Sequence, residues 1–209
     1  MPRLQSFDID PANVNAAGIA NDLPTGTAWS LSGDAEWTAS DCGDSLAHQL
    51  VVTTAGNEPA GNAPNLTLVG TDANDNAITD TVVLPNITTV ETTLYFKTVT
   101  SASADAATVG TMDIGWVDEV ASKTVPLNRH SSTGGLIQLD VTGTIDVTLQ
   151  VTAASPDSPV WMNSNTAALV NATTDVMANL DIHSTAVRLI VNSYTDTAEV
   201  QVYLSEGSK

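Results

Sequence analysis

Positively charged residues are scarce in this chain. Its 209 residues include 6 Lys and Arg against 24 Asp and Glu, which gives a formal net charge of −18 at pH 7 and a pI near 4.1. Nucleic-acid binding needs Lys and Arg that displace phosphate counterions, and anionic membrane surfaces attract cationic segments. Neither partner is therefore expected. The acidic charge itself favours solubility, docking on a basic partner or calcium binding.

Cysteine is nearly absent. The one cysteine, Cys42, excludes an internal disulfide framework and a cysteine-based zinc site. No Lys or Arg stands beside it in the sequence, and the nearby Asp41 and Asp44 are expected to raise the pKa of its thiol. We expect Cys42 to be a small buried side chain, with a reactive thiol or an intermolecular bridge as the alternatives.

Long apolar segments are also missing. A membrane helix needs about 18 consecutive apolar residues, and the chain has no such run. The first residues, MPRLQSFDIDPANVNAAG, lack the apolar core of a secretory signal. We therefore expect a protein that is made in the cytoplasm and stays soluble.

Aromatic residues make up only 4% of the chain. With so few, each tryptophan is expected either to fill a core or, in one or two cases, to anchor a contact between subunits, because interface hot spots favour Trp and Tyr. The candidate interface residues are Trp29, Trp37, Trp116, Trp161 and Tyr203.

Groups suited to catalysis do not form a motif. The three histidines, His48, His130 and His183, lie in different segments, and none is part of a recognisable catalytic motif. We expect His48 to face solvent, because we place it in a strand pattern opposite Leu46 and Leu50. The sequence thus predicts no enzyme, no catalytic residue and no cofactor.

The chain does contain many segments in which apolar and polar residues alternate. Between residues 66 and 100, Leu66 and Leu68 precede an Asp- and Asn-rich turn, after which Ile78 and Val82 resume the alternation. Alternation of period two between Asn, Asp and Gly clusters is typical of half-buried antiparallel strands. Because 42% of the residues are hydrophobic, enough apolar surface exists for a core. The predicted class is all-β.

Two later segments resemble hairpins. Residues 136–151 alternate on either side of a turn at 142–144, and a three-residue loop there sets Val141 opposite Ile145. Residues 187–204 alternate around a turn at 192–197. Helix is scarce, with short turns expected at 166–170 and 174–180.

The alternation lapses around residues 118–129. We therefore predict two antiparallel β-sandwich modules, jelly-roll or Ig-like, at 26–121 and 122–209. They follow an N-terminal arm at 1–25, which either wraps a neighbour or packs along its own domain. The two modules end in similar strand–turn–strand segments, as related sandwich domains would.

One turn has the spacing of a calcium loop. Asp72, Asn74 and Asn76 stand at relative positions one, three and five, where such loops place oxygen ligands. The pattern then departs, because Ala77 replaces the expected glycine and Val83 the bidentate glutamate. We predict a plain turn and keep a weak calcium site as the alternative.

Several short motifs lie at residues 70–81, 84–86, 90–93, 95–99, 141–144, 159–161 and 186–191. Together they resemble virion structural proteins of tailed bacteriophages. In that group, small acidic β-sandwich proteins are commonly encoded near the major capsid protein. The resemblance implies a capsid decoration (cement) protein that binds the outer surface of a phage head and stabilises it, and it brings no catalytic residues.

Two alternatives remain open from the sequence. The first is a tail, neck or fibre adaptor of the virion, and the second is a carbohydrate- or host-surface-binding module in which an exposed Trp or Tyr203 stacks on sugar. The expected partners are the major capsid protein or other virion proteins. A homodimer or homotrimer is also expected, because the edge strands of a sandwich need covering. The expected location is the virion, assembled in the host cytoplasm.

Overall fold

The structure, a computed structural model, describes residues 3–30, 39–56, 63–84, 88–127, 135–156, 159–180, 184–195 and 197–206. In this part of the chain nearly all regular structure is strand, which confirms the all-β class, and one turn of 3-10 helix lies at Ala167–Leu169. The strands are β1 (Arg3–Ile9), β2 (Asn15–Leu23), β3 (Ala28–Ser30), β4 (Ala47–Thr54), β5 (Asn65–Thr71), β6 (Ala77–Val83), β7 (Thr89–Phe96), β8 (Thr98–Ala104), β9 (Met112–Ala121), β10 (Val125–Pro126), β11 (Gly135–Thr142), β12 (Ile145–Thr152), β13 (Met162–Asn163), β14 (Val176–Asn179), β15 (Ala186–Tyr194) and β16 (Glu199–Glu206).

The chain forms two compact units. The central unit is Ala12–Val120, and the C-terminal unit combines Met1–Pro11 with Ala121–Lys209. The residues assigned by sequence to an arm, 1–25, are thus shared: they supply β1 to the C-terminal unit and β2 to the central unit. The first strand of the chain pairs with the last one, since Arg3 lies opposite Glu206 and Ile9 opposite Val200.

The central unit is a sandwich. One sheet has the order β3-β8-β5-β6, and the other joins β4 to β7 and to β9, with β2 on β9. Between them lies a core to which both sheets contribute, and its buried members are Ile19, Ala20, Leu23, Trp29, Leu50, Val52, Leu66, Leu68, Val82, Leu84, Phe96, Val99, Ala102, Met112, Ile114 and Trp116. Burial of this apolar surface is the main favourable contribution to the stability of the unit.

The C-terminal unit is built the same way. One sheet has the order β1-β16-β11-β14. The other has the order β13-β12-β15, with β10 paired to Ala186 and Val187 at the start of β15. Each sheet buries alternate residues, the fully buried ones including Ile9, Ile137, Leu139, Val147, Leu149, Val187, Leu189, Val191, Val200, Val202 and Leu204. On β11 and β16 the residues between them are more exposed, as period-two alternation requires, whereas β12 and β15 also bury Thr148 and Ile190.

The hairpin predicted in the first alternating segment is confirmed. Strands β5 and β6 pair antiparallel from Asn65 and Val83 at one end to Thr71 and Ala77 at the other. Residues 72–76 form the turn between them, where Asp75 has a positive φ of 65°.

The strand pairing predicted for the two later hairpins is wrong, although the strands themselves are present. Strand β11 pairs with β16 and β14, whereas β12 pairs with β15 and β13, so the predicted pair of Val141 and Ile145 does not form. Strands β15 and β16 likewise lie in different sheets. Each of these turns therefore carries the chain from one sheet of the sandwich to the other.

The two crossing turns lie against each other. Thr195 N donates to Thr144 O at 2.9 Å, and a Cβ on Gly143, whose φ is +79°, would lie 3.0 Å from Ala198 Cα. The same apolar residues lie in the interior whether a turn joins two paired strands of one sheet or connects the two sheets of a sandwich. The alternation of apolar and polar residues therefore does not distinguish a hairpin from a crossing turn. The helical turn expected at 174–180 is also wrong, because β14 occupies most of it.

Candidate interaction surface

One sheet of the C-terminal unit presents a mixed apolar and acidic outer face. Its strands β1, β16, β11 and β14 turn alternate residues away from the core. On β11, for example, Ile137 and Leu139 are fully buried while Leu136 and Asp140 are exposed. The pairing of the four strands fixes which outward side chains are neighbours.

Four large side chains run across all four strands at one end of this face. Leu4, Leu136 and Met177 are 71%, 38% and 61% exposed, and Tyr203 is half-buried. Ser205 pairs with both Leu4 and Leu136, which places Tyr203, two residues earlier on β16, diagonal to both. Gln138 pairs with Met177, so Met177 is likewise diagonal to Leu136. Such diagonal neighbours are within reach of long side chains. We call Leu4, Tyr203, Leu136 and Met177 the apolar band.

Carboxylates occupy the other end of the face. Gln201 pairs with both Asp8 and Asp140, and Glu199 pairs with Thr142. Asp175, just before β14, accepts a hydrogen bond from Val141 N at 2.8 Å and so is fixed beside them. We call Asp8, Asp140, Asp175 and Glu199 the acidic end. None of the outward positions of the four described strands is Lys or Arg.

Two of the predicted interface tryptophans belong to the core of the central unit. Trp29 is 4% exposed and donates its indole N–H to Pro24 O, and Trp116 is 7% exposed and donates to Asn13 O. A Cβ on Gly18 would lie 2.2 Å from the ring of Trp116, so glycine is what lets the chain pass over the indole. Neither side chain offers much surface to a partner.

The other interface candidates lie at the surface of the C-terminal unit or outside the described residues. Tyr203 belongs to the apolar band, and its hydroxyl donates to Gln201 Oε1 at 2.8 Å. Trp161 is half-buried, with the guanidinium of Arg188 4.7 Å from its ring centroid. Its neighbours Val160 and Met162 are 68% and 67% exposed. Trp37 lies outside the residues that the structure describes.

The prediction that His48 faces solvent is wrong. His48 is 0% exposed, its Nε2 is 2.6 Å from Asp44 Oδ2, and its Nδ1 is 3.5 Å from Val117 O. Residues two apart on a strand share a face, and Leu50 on the same strand is in the core. The alternation therefore places His48 inward, where Asp44 gives it a polar partner.

The Asp44 carboxylate is a centre of hydrogen bonding. Besides His48, it accepts from Ala12 N at 2.7 Å and from Leu46 N at 2.9 Å. Burial works to raise its pKa, but the hydrogen bond and charge of His48 and the two amides outweigh burial and hold the pKa of Asp44 below its ordinary value. Both nitrogens of His48 thus lie near oxygen atoms of the protein, and the imidazole acts as a buried hydrogen-bond partner of Asp44.

Cys42 lies close to this pair and is half-buried against the central core. Burial raises the pKa of its thiol strongly, and the carboxylates of Asp44 and Asp41 raise it further. The expected direction of the shift is confirmed. A thiol with a raised pKa is a poor nucleophile at neutral pH.

Of the three calcium-loop candidates, Asp72 uses both of its carboxylate oxygens within the turn. Asp72 Oδ1 accepts from Asn74 N at 2.8 Å and from Asn76 N at 2.9 Å, while Asp72 Oδ2 accepts from the side-chain amide of Asn76 at 3.1 Å. This is an Asx-type closure, in which a carboxylate binds the backbone just after it. The plain turn stays the prediction, and the weak calcium site stays its alternative.

The structure also bears on metal binding, on membrane helices and on the two other histidines. Within the described ranges, no three His, Cys, Asp or Glu side chains lie close enough together to hold a metal ion. The same residues include no helix with the length and apolarity to span a membrane. His130 and His183 lie outside the described residues.

The fold and surfaces define the chain as an antiparallel β-sandwich protein. No known protein family matches it, and no curated protein does. Among solved structures, the chain is similar to one titled "Crystal structure of infectious bursal disease virus VP2 subviral particle". That match has 11% identity, covers 99% of this chain and 72% of the other, and has a TM-score of 0.23. At that TM-score the likeness carries no argument about fold or function.

Proposed function

We propose that this chain is a structural protein of a virus particle, and specifically a decoration protein that binds the outer surface of a tailed-bacteriophage head. The observation that carries the proposal is the outer face of the β1-β16-β11-β14 sheet, where the apolar band adjoins the acidic end. The motifs that resemble phage virion proteins support the same role. The role needs a rigid scaffold and a docking surface, and it needs no catalytic group.

The protein would stabilise the shell by binding to its assembled form. A protein that binds the assembled shell but not its separated subunits stabilises the shell by the free energy of that binding. Stable contacts of this kind bury about 800 Å² per partner. The formal charge of −18 suits an exterior position, where the protein is kept away from the phosphates of the genome. In this proposal the partner is the major capsid protein, and the protein acts as a homodimer or homotrimer on the virion.

The test is to compare particles with and without the protein. Particles that lack it are expected to release DNA at a lower temperature and to open sooner in chelator, and adding back the purified chain should restore both. A matched control adds an equal concentration of an unrelated acidic protein. Shells that are equally stable without the chain would contradict the proposal.

Copy number separates the head from the tail. Gel densitometry of purified particles should show a number of copies that scales with the number of shell subunits. A few copies per particle would favour the tail, neck or fibre adaptor instead.

A further inference from the structure

We propose that the apolar band and the acidic end together form the docking face of this protein, and that the segment docked there is an apolar ridge flanked by Lys or Arg. This inference rests on the proposed function and identifies the chemistry of the partner surface. It concerns only the C-terminal unit.

The apolar band is unusual for the outer face of an antiparallel sheet. Such a sheet commonly buries one face and keeps the other polar. Here the core is formed by residues of the opposite face, among which Ile137, Val202 and Leu204 are fully buried, so the band does not contribute to it. Exposure of 71% at Leu4 and 61% at Met177 nevertheless leaves large apolar side chains in water. A contiguous exposed apolar patch rimmed by polar residues is typical of an interaction site.

The acidic end indicates the charge of the partner. Asp8 and Asp140 are exposed on either side of Gln201, with Asp175 and Glu199 close to them. Because the outward positions of these strands include no Lys or Arg, the carboxylates have no cation on the same face. Complementary charge across an interface increases the association rate and excludes wrong partners. A basic segment beside the apolar ridge supplies that charge.

A second copy of this chain is poorly suited to supply the positive charge that complements the acidic end. Two copies that met through this face would bring their acidic ends together, and these like charges repel each other. Two such faces would also meet without any opposite charge between them. The partner is therefore a different protein, and self-association becomes an outcome that the test can reveal.

The size of the face predicts how tightly one copy binds. Four strands about 4.8 Å apart and roughly seven residues long at about 3.4 Å each span roughly 15 Å by 24 Å. That area is about half of what one partner buries in a standard interface, near 800 Å². A single copy should thus bind weakly and in a salt-dependent way, and several linked copies should bind far more tightly.

The experiment measures binding of the full chain to purified shells stripped of this protein. L4S/M177S removes the exposed ends of the apolar band, and V83S/V109S is its control, since Val83 and Val109 are exposed apolar residues of the central unit. D8N/D140N removes charge from the acidic end, and D41N/E91Q removes two exposed charges elsewhere. Melting temperatures check that every variant is folded.

We expect L4S/M177S to weaken binding at least about tenfold, because two desolvated side chains are lost. D8N/D140N should weaken binding and flatten its dependence on salt, and both controls should stay within about twofold of the wild type. Hydrogen exchange of the unmodified chain on the shells needs no variant, and it should show protection in β1, β11 and β14.

The outcomes separate the inference from the proposed function. Wild-type chain that does not bind shells overturns both. If all four variants bind shells as the wild type does, and hydrogen exchange shows no protection in these strands, the docking face is overturned. The proposed function is then left intact. A wild-type dimer in sedimentation that L4S/M177S converts to monomer would show that a second copy occupies the face, which also overturns the inference.

Discussion

Nε2 of the fully buried His48 lies 2.6 Å from Oδ2 of Asp44, four residues earlier in the chain. Through the same carboxylate, Asp44 also holds Ala12 N at the start of the central unit and Leu46 N just before β4. A fully buried histidine is thus held in place by a loop residue. The stability of the folded chain is therefore expected to depend on the carboxylate of Asp44.

Asp44→Asn should destabilise the folded chain by about 2 kcal/mol, because a charge-assisted hydrogen bond is lost while His48 stays buried. Urea unfolding measures the change. Asp41→Asn, on an exposed neighbour, is the matched control and should cost much less. Equal losses in the two variants would mean that Asp44 has no special role.

The same pair predicts how stability depends on pH. Because the pKa of Asp44 is lower in the folded chain than its ordinary value of 3.8, the unfolded chain binds the proton more readily. The contribution of Asp44 is therefore complete above about pH 5 and is lost as the pH falls through the folded pKa. The difference in unfolding free energy between wild type and Asp44→Asn should shrink below about pH 4. A difference that is constant from pH 3 to pH 7 would contradict the prediction.

Engineered disulfides can test the crossing of the chain between sheets. Asp140 pairs with Gln201, and paired residues of antiparallel strands have Cα atoms about 4.5–5.5 Å apart, within the range of a disulfide. In a Cys42→Ala background, D140C/Q201C should therefore oxidise readily. D140C/D146C is the control, because those positions would be opposite each other only if β11 and β12 formed a hairpin. Peptide mapping without reductant identifies the bridge.

Cys42 should react slowly with thiol reagents. Its raised pKa leaves little thiolate, so at pH 8 we expect alkylation at least about tenfold slower than that of a cysteine in an unfolded peptide. Unfolding in urea should remove the protection. Mass spectrometry over time follows the reaction, and a folded rate equal to the unfolded one would be the opposite result.

Calcium should leave the melting temperature unchanged, because the oxygens of Asp72 already accept hydrogen bonds from the turn. Thermal unfolding with millimolar calcium and with chelator makes the comparison. If calcium raised the melting temperature in the wild type but not in Asp72→Asn, the turn would be a calcium site after all.

Much of the fold was open to prediction because alternation reports directly which side chains are buried. The hairpin of β5 and β6 was recognisable from two alternating strands around an Asp- and Asn-rich turn. The strands β11, β12, β15 and β16 of the C-terminal unit were recognisable too. Their partners were not, since β11 and β12 bury the same residues whether they pair or face each other.

The candidate surface shows the same limit. Tyr203 was singled out from its sequence, but Leu4, Leu136 and Met177 were not. Each of them is an ordinary apolar residue along the chain, and they form one band only through the pairing of β16 with β1 and β11, and of β11 with β14. A signal for the band existed only in the register between strands far apart in sequence.

The sequence by itself determined the all-β class, the acidic character and the positions of most strands, because composition and alternation are local properties. The tertiary structure decided that β1 joins the last strand, that two turns cross between sheets and that His48 lies inside with Asp44. These features depend on which distant strands satisfy each other's backbone hydrogen bonds and bury each other's apolar faces. That choice is made by the whole chain and is not encoded in any single segment.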